Sequence, residues 1–137
     1  MSAWKHFGDA HTWVYERSGG RIGARMAGRD MLLLTTTGRR SGEPRTLPLA
    51  YLADGDALVI VASNAGQARH PAWFHNLRAD ARARVRMGRE VFDVRAEVAE
   101  DAERQRLWPL LTAYNPPYAA YERKTERTIP VVVLRRA

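Results

Sequence analysis

The hydrophobic positions change period several times along the chain, and each change marks an expected element. Trp4, Phe7, His11, Val14 and Tyr15 recur at helical spacing, which predicts an amphipathic helical segment within residues 1–30. Gly19-Gly20 interrupts it, and Arg21 to Gly28 reads as a second, weaker helix. Such a basic start predicts packing across a sheet or a partner, with peripheral contact at a membrane surface as the second reading. From Met31 the pattern turns extended. Met31–Thr37 is expected to be a strand, Gly38–Glu43 a turn and Arg45–Leu52 the returning strand. Asp54-Gly55 is a hairpin signal, and Ala57–Ala62, apolar at every position, is a third, buried strand. After Ser63-Asn64-Ala65-Gly66-Gln67 comes a helix near Pro71–Ala79, with proline in its first turn. Arg82–Met87 and Glu90–Val98 pair around Gly88 as a second hairpin. Asp101–Tyr114 is a helix with acidic residues at its N-terminus, stopped by Asn115-Pro116-Pro117. A short tyrosine-bearing segment follows, and Thr128–Leu134 is the closing strand.

These elements predict one α+β domain over residues 1–137, a length that suits a single core. Its centre is a mostly antiparallel sheet of about six strands with helices at its edges, and curling into a small barrel would hide the sheet's edges. No apolar run approaches the roughly 20 residues of a membrane span, and the N-terminus lacks a signal-peptide core, so a cytoplasmic location is expected. The chain has no cysteine, which excludes disulfides, iron–sulfur clusters, thiolate catalysis and cysteine zinc sites.

The net charge of +7 favours an acidic partner. Nucleic acid is not expected, because the basic residues are not interleaved with aromatics in a recognisable motif. No metal is expected either. His70 and His75 stand five apart, wrong for one helical face, with no HExxH or paired-carboxylate pattern. Nucleophile-elbow, Walker and GxGxxG motifs are missing.

The run from Leu32 to Arg45 concentrates the candidate chemistry. An apolar strand ends in a turn carrying Arg39, Arg40, Ser41 and Arg45 between glycines. Guanidinium forks suit phosphate or carboxylate oxygens, and glycine lets backbone N–H groups come close to a ligand. A plain solvated basic turn is the alternative. Antiparallel geometry brings the end of Ala57–Ala62, and hence Ser63 to Gly66, to the same end of the sheet as the arginines. The next helix starts there too, and its free N–H groups favour an anion. Two anion-binding features thus converge on a phosphate-bearing ligand. Trp73 and Leu77 are expected on the buried face of that helix, and Asn76 either contacts a ligand or caps a loop. Tyr118 and Tyr121, three apart, share a face; they are either packing residues or a hydroxyl-lined wall over a flat substrate.

The segments Leu32–Arg45, Val59–Leu77 and Tyr118–Leu134, the last with Arg127-Thr128-Ile129-Pro130-Val131, resemble the deazaflavin-dependent nitroreductase family, whose members use reduced coenzyme F-420. The resemblance runs over nearly the whole chain from about Tyr15, and its T-T-G-R-x-S-G-x-P-R element is long and fairly specific. It implies a split β-barrel of the flavin-mononucleotide-binding kind. It implies hydride transfer to an electrophilic acceptor such as a quinone, an activated enone or a nitroaromatic. Arg39, Arg40, Ser41 and Arg45 would hold the cofactor's phosphate and polyglutamate tail. Pro48 with Ala62, Ser63, Asn64, Ala65 and Gly66 would line the deazaflavin ring and phosphate, and Pro71, Trp73 and Asn76 would shape the same groove. Tyr118 and Tyr121 would stand near the substrate, positioning it or donating a proton. Many relatives have lysine where this chain has Asn64, and some have tyrosine where Asn115 stands. The rival readings are a split barrel binding FMN or haem, and a non-enzymatic lipid- or fatty-acid-binding member of the fold. The expected partner is a small-molecule acceptor, the expected assembly a monomer or homodimer.

Overall fold

Strand β5 (Ala57–Val61) is buried at every position, which requires cover on both of its faces. Its neighbour β8 (Val131–Arg136) carries four buried residues in succession for the same reason. In the computed structural model, which describes residues 25–26 and 29–137, two apolar layers provide that cover. The inner layer gathers Leu32, Leu34, Leu47, Leu58, Ile60, Val85, Val94, Val132 and Leu134 with Trp73, Phe74 and Leu77 of helix α1 (Ala72–Ala79). The outer layer packs Ala57, Val59, Val61, Val131 and Val133 under Leu107 and Leu111 of α2 (Asp101–Tyr114) and Tyr118 of α3 (Pro117–Lys124). Alternate residues of β5 and β8 therefore serve two cores.

The remaining strands are β1 (Arg25–Met26), β2 (Arg29–Thr37), β3 (Pro44–Ala50), β4 (Leu52–Asp54), β6 (Arg82–Met87) and β7 (Glu90–Val98). All pairings are antiparallel: β2 with β1, β3 and β6, then β6 with β7, β7 with β8, β8 with β5 and β5 with β4. Only Tyr51 separates β3 from β4, and its N–H still donates to Asp30 O at 3.3 Å. Residues 44–54 thus form one bent strand that pairs with β2 in its first part and with β5 in its second. That strand joins the two ends of the sheet, and the ring β2–β6–β7–β8–β5–β4/β3 closes as the expected split barrel, with eight strands in the sheet where about six were expected, since β1 is added and one expected strand is divided into β3 and β4.

Two segments differ from the sequence reading. The closing strand begins at Val131, not Thr128: Pro130 has no N–H to give the ladder, although its O still accepts from Ala62 N–H at 2.9 Å. Arg25–Met26, expected to be helical, pairs with Asp30 and Arg29 as a strand, since local propensity yields to an available sheet neighbour. The tyrosine-bearing segment is the regular helix α3, with Pro117 in its first turn. The rest of the helical reading of residues 1–30, and the membrane contact attached to it, lie outside the described residues. Among the described residues no helix is long and apolar enough to cross a membrane.

Leu34 is fully buried in the inner core, whereas Leu110 of α2 is 48% exposed. Leu34→Ala is expected to lower the unfolding free energy by about 2–5 kcal/mol in urea titration, through lost transfer energy and a residual cavity. Leu110→Ala is expected to stay within about 0.5 kcal/mol of the parent.

Candidate functional site

The strand directions put the β2–β3 turn, the end of β5 and the start of α1 at one end of the barrel. The turn is tightly built. Gly38 N–H donates to Glu43 O at 2.8 Å, and Gly42 N–H donates to Gly38 O at 2.8 Å. A Cβ at Gly38 would stand 2.7 Å from Ser41 Oγ and 3.1 Å from Glu43 O, so a larger residue would have to displace the Ser41 hydroxyl that shapes the turn. Ser41 Oγ accepts from Glu43 N–H at 3.1 Å and from Arg45 Nη2 at 3.4 Å. Ser41 thus shapes the turn and orients Arg45.

Asn76 ties this turn to α1. It is 4% exposed, and its amide is fully engaged within the protein. Oδ1 accepts from the Arg39 backbone N–H at 3.1 Å and from Arg39 Nη1 at 3.4 Å, while Nδ2 donates to the buried Thr36 Oγ1 at 3.1 Å. Of the two readings of Asn76, loop capping is the one its bonds support. Arg39, Arg40 and Arg45 are all exposed. Among the described residues no carboxylate pairs with any of them, although Arg82, Arg84, Arg106, Arg135 and Arg136 are each paired. Their full charge therefore faces solvent on a turn that the barrel and α1 hold in place.

The second component follows β5. Ser63 (φ −73, ψ −35) is right-handed, and Asn64 (φ 47), Ala65 (φ 54) and Gly66 (φ 76) are left-handed. A right-handed residue followed by a left-handed one turns successive N–H groups into an anion-receiving nest. The Asn64 side chain is held by the loop itself, Nδ2 donating to Arg69 O at 3.0 Å. A Cβ at Gly66 would lie 3.1 Å from Tyr121 Cα and 3.2 Å from Tyr121 O, so glycine allows α3 to seat directly against the loop. Lys124 Nζ donates to Ala65 O at 3.4 Å. Pro71 caps α1 on an extended backbone.

The other candidates fall into place around these two components. Pro48 pairs with Leu33 across the β2–β3 ladder and is half-buried. Ala62 and Trp73 belong to the inner core, so Trp73 supports the groove from beneath. Tyr118 is 8% exposed and sits in the outer apolar layer, while Tyr121 is half-buried at its margin. Arg127, to which the sequence pattern assigns no role, binds four loop acceptors. A half-buried arginine clasping carbonyls leaves no mark in composition or spacing. A cavity of about 570 Å³ opens at the opposite end of the barrel. There Arg136 stacks on Phe92 at 3.8 Å and pairs with Glu90 at 3.0 Å, so its charge is already matched.

Both histidines near the site are held below the ordinary imidazole pKa. For His70 the causes are partial burial and then the charges of Arg127, His75 and Arg78; for His75 they are burial, Arg39 and Arg78. Neutral His70 presents Nδ1 to Arg127 Nη1 at 3.0 Å, which assigns its proton to Nε2.

Residues 8–136 match the family model described as F420H2-dependent quinone reductase. An F420H2-dependent quinone reductase of Mycobacterium tuberculosis is 42% identical over 130 residues, covering 92% of this chain and 87% of that protein. Among solved structures, the F420H2-dependent reductase FDR-A is 38% identical, with a TM-score of 0.70 over 76% of this chain and 92% of its own. A domain-swapped dimer is 35% identical, with a TM-score of 0.73 over 91% of this chain and 98% of its own.

Two outcomes are expected of this geometry. Asn76→Ala should cost about 1–3 kcal/mol in urea unfolding, because Thr36 Oγ1 and the Arg39 N–H lose a buried partner. Acid should weaken the fold through His70. Its folded pKa is depressed, so its contribution is complete above the free-imidazole value of about 6.5 and is lost as pH falls through the folded value. Asp54 and Asp80, held below the usual carboxylate range by hydrogen bonds from Arg106 and Arg82, stay charged across that window. The melting temperature of His70→Asn should therefore fall less than that of the parent between neutral pH and pH ~5.

Proposed function

This chain belongs to the F420H2-dependent quinone reductase family, and from that membership we propose that it transfers a hydride from reduced coenzyme F-420 to a quinone, with the arginine turn and the Ala62–Gly66 loop holding the cofactor. The observation that carries the assignment of the site is the exposed, carboxylate-free set Arg39, Arg40 and Arg45 on a turn pinned by Asn76. The donor chemistry fits the group. Guanidinium forks match phosphate and carboxylate oxygens, and the nest beginning at Ser63 offers backbone N–H groups to the same kind of anion. Asn64 adds no charge to the loop, so the turn's arginines, with Lys124 and Arg127 beside the loop, provide the attraction for a polyanionic tail.

When bound in its reduced form, the deazaflavin supplies the hydride. The chain's own residues bind, orient and stabilise charge. Pro48 and the Ala62–Gly66 backbone form the surface for the ring, and Trp73 and Pro71 keep that surface rigid from below. The acceptor gains negative charge on reduction, and the half-buried Tyr121 is the phenol proposed to meet it, with water as the proton source. Tyr118, packed in the outer core, sets the position of α3 and so of Tyr121. A homodimer is the favoured assembly, because a relative 35% identical forms a domain-swapped dimer.

Fluorescence titration with F-420 and FMN in parallel tests the cofactor. F-420 should bind more tightly, with affinity falling as salt rises; tighter FMN binding would overturn the proposal. Arg39→Ala and Arg45→Ala should each weaken F-420 binding by roughly ten- to a hundredfold, or about 1.5–3 kcal/mol, while the protein stays folded by circular dichroism. For Tyr121→Phe, steady-state reduction of menadione should fall by less than the roughly 10²–10⁴-fold expected of a sole proton donor. Cofactor affinity in that variant should not change.

A further inference from the structure

We propose that Arg127 is a positioning residue whose guanidinium moulds the Ala62–His70 loop into the shape that the cofactor meets. The inference rests on the reading of that loop as part of the cofactor site, and its geometry stands independently. Arg127 Nη2 donates to Ser63 O at 2.7 Å, Nε to Gln67 O at 2.9 Å, and Nη1 to Ala62 O at 3.2 Å. Nη1 also reaches His70 Nδ1 at 3.0 Å. One planar fork thus gathers acceptors from both ends and the middle of the loop. Among the described residues no carboxylate pairs with it, so carbonyl dipoles and a neutral imidazole are what hold its charge.

The loop needs such a device. Asn64 and Ala65 are both left-handed without being glycine, a conformation that side chains disfavour, alanine more than asparagine. The side chain of Ser63, which precedes the turn, makes no capping bond. Within the loop, local bonds oppose unwinding: Gly66 N–H to Ser63 O at 2.9 Å, Gln67 N–H to Asn64 O at 3.0 Å and Asn64 Nδ2 to Arg69 O at 3.0 Å. Ser63 O accepts from both Gly66 and Arg127, so the clasp bears directly on the left-handed turn. Lys124 at the end of α3 reaches only Ala65 O, at a longer 3.4 Å. Arg127 lies between α3 and β8, two elements anchored in the outer core, and so transmits the rigidity of the barrel to the loop.

A cation that merely attracted the cofactor's anionic tail would be replaceable by lysine. A fork that shapes the loop would not, because one ammonium cannot meet Ala62 O, Ser63 O and Gln67 O together. The experiment compares Arg127→Lys and Arg127→Gln with the parent by amide hydrogen exchange without cofactor and by F-420 titration. In both variants exchange at the Gly66 and Gln67 amides should rise by about tenfold or more, with strand β8 still protected. F-420 affinity should fall by about tenfold or more, while turnover at saturating cofactor changes less than affinity does. If Arg127→Lys restores both protection and affinity, Arg127 acts as a charge alone and the proposal fails. Unchanged Gly66 and Gln67 exchange in Arg127→Gln would also overturn it. Should Arg127→Gln not fold, Arg127→Lys carries the same readouts. If the parent does not bind F-420, the cofactor reading fails, and the exchange data still decide whether Arg127 holds the loop.

Discussion

Closure of the barrel through one bent strand is the constraint on which the other features depend. Residues 44–54 pair first with β2 and then with β5, turning at Tyr51. An antiparallel sheet of this size would otherwise leave edges with unpaired N–H and C=O groups. Because the ring closes, the inner faces of all its strands converge on one core, and α1 must stop one end with Trp73, Phe74 and Leu77. Because β5 and β8 lie next to each other in the ring, their outer faces form a continuous apolar surface for α2 and α3.

The candidate site is a consequence of that arrangement. Capping the barrel with α1 brings Asn76 under the β2–β3 turn, where it fixes the backbone from which three arginines project. Covering β5 and β8 with α3 brings the Tyr121 backbone against Gly66 and Arg127 within reach of Ser63. The two components of the groove are thus supported by different helices, each anchored in a different core. Neither component is a free surface loop, although the arginines of the turn are exposed.

Charge is distributed to the same effect. On β6, β8 and α2 several arginines meet carboxylates: Arg84 with Asp93, Arg135 with Glu97, Arg106 with Asp54. Exposed pairs of this kind add little stability, but they neutralise the surface locally. At the turn the arginines have no such partners among the described residues, so they present unneutralised positive charge in a chain of net charge +7. A polyanionic cofactor tail is a ligand whose charge matches that imbalance.

Much of this was legible in the residues themselves. Apolar runs placed β2 and β5, because burial on one or two faces writes itself into the hydrophobic pattern, while turn glycines placed the hairpins and acidic and proline end signals placed α2. The arginine turn was legible because glycine spacing and guanidinium chemistry are local properties. Antiparallel order was enough to bring Ser63 to Gly66 to the same end of the sheet. What the sequence could not decide were matters of partnership. Whether Asn76 faces a ligand or Thr36, whether Tyr118 lines a wall or fills a core, and what Arg127 holds all depend on residues 40 to 65 positions away. Those contacts exist only once the barrel has closed, since a hydrogen bond is set by distance and angle in space and not by spacing along the chain.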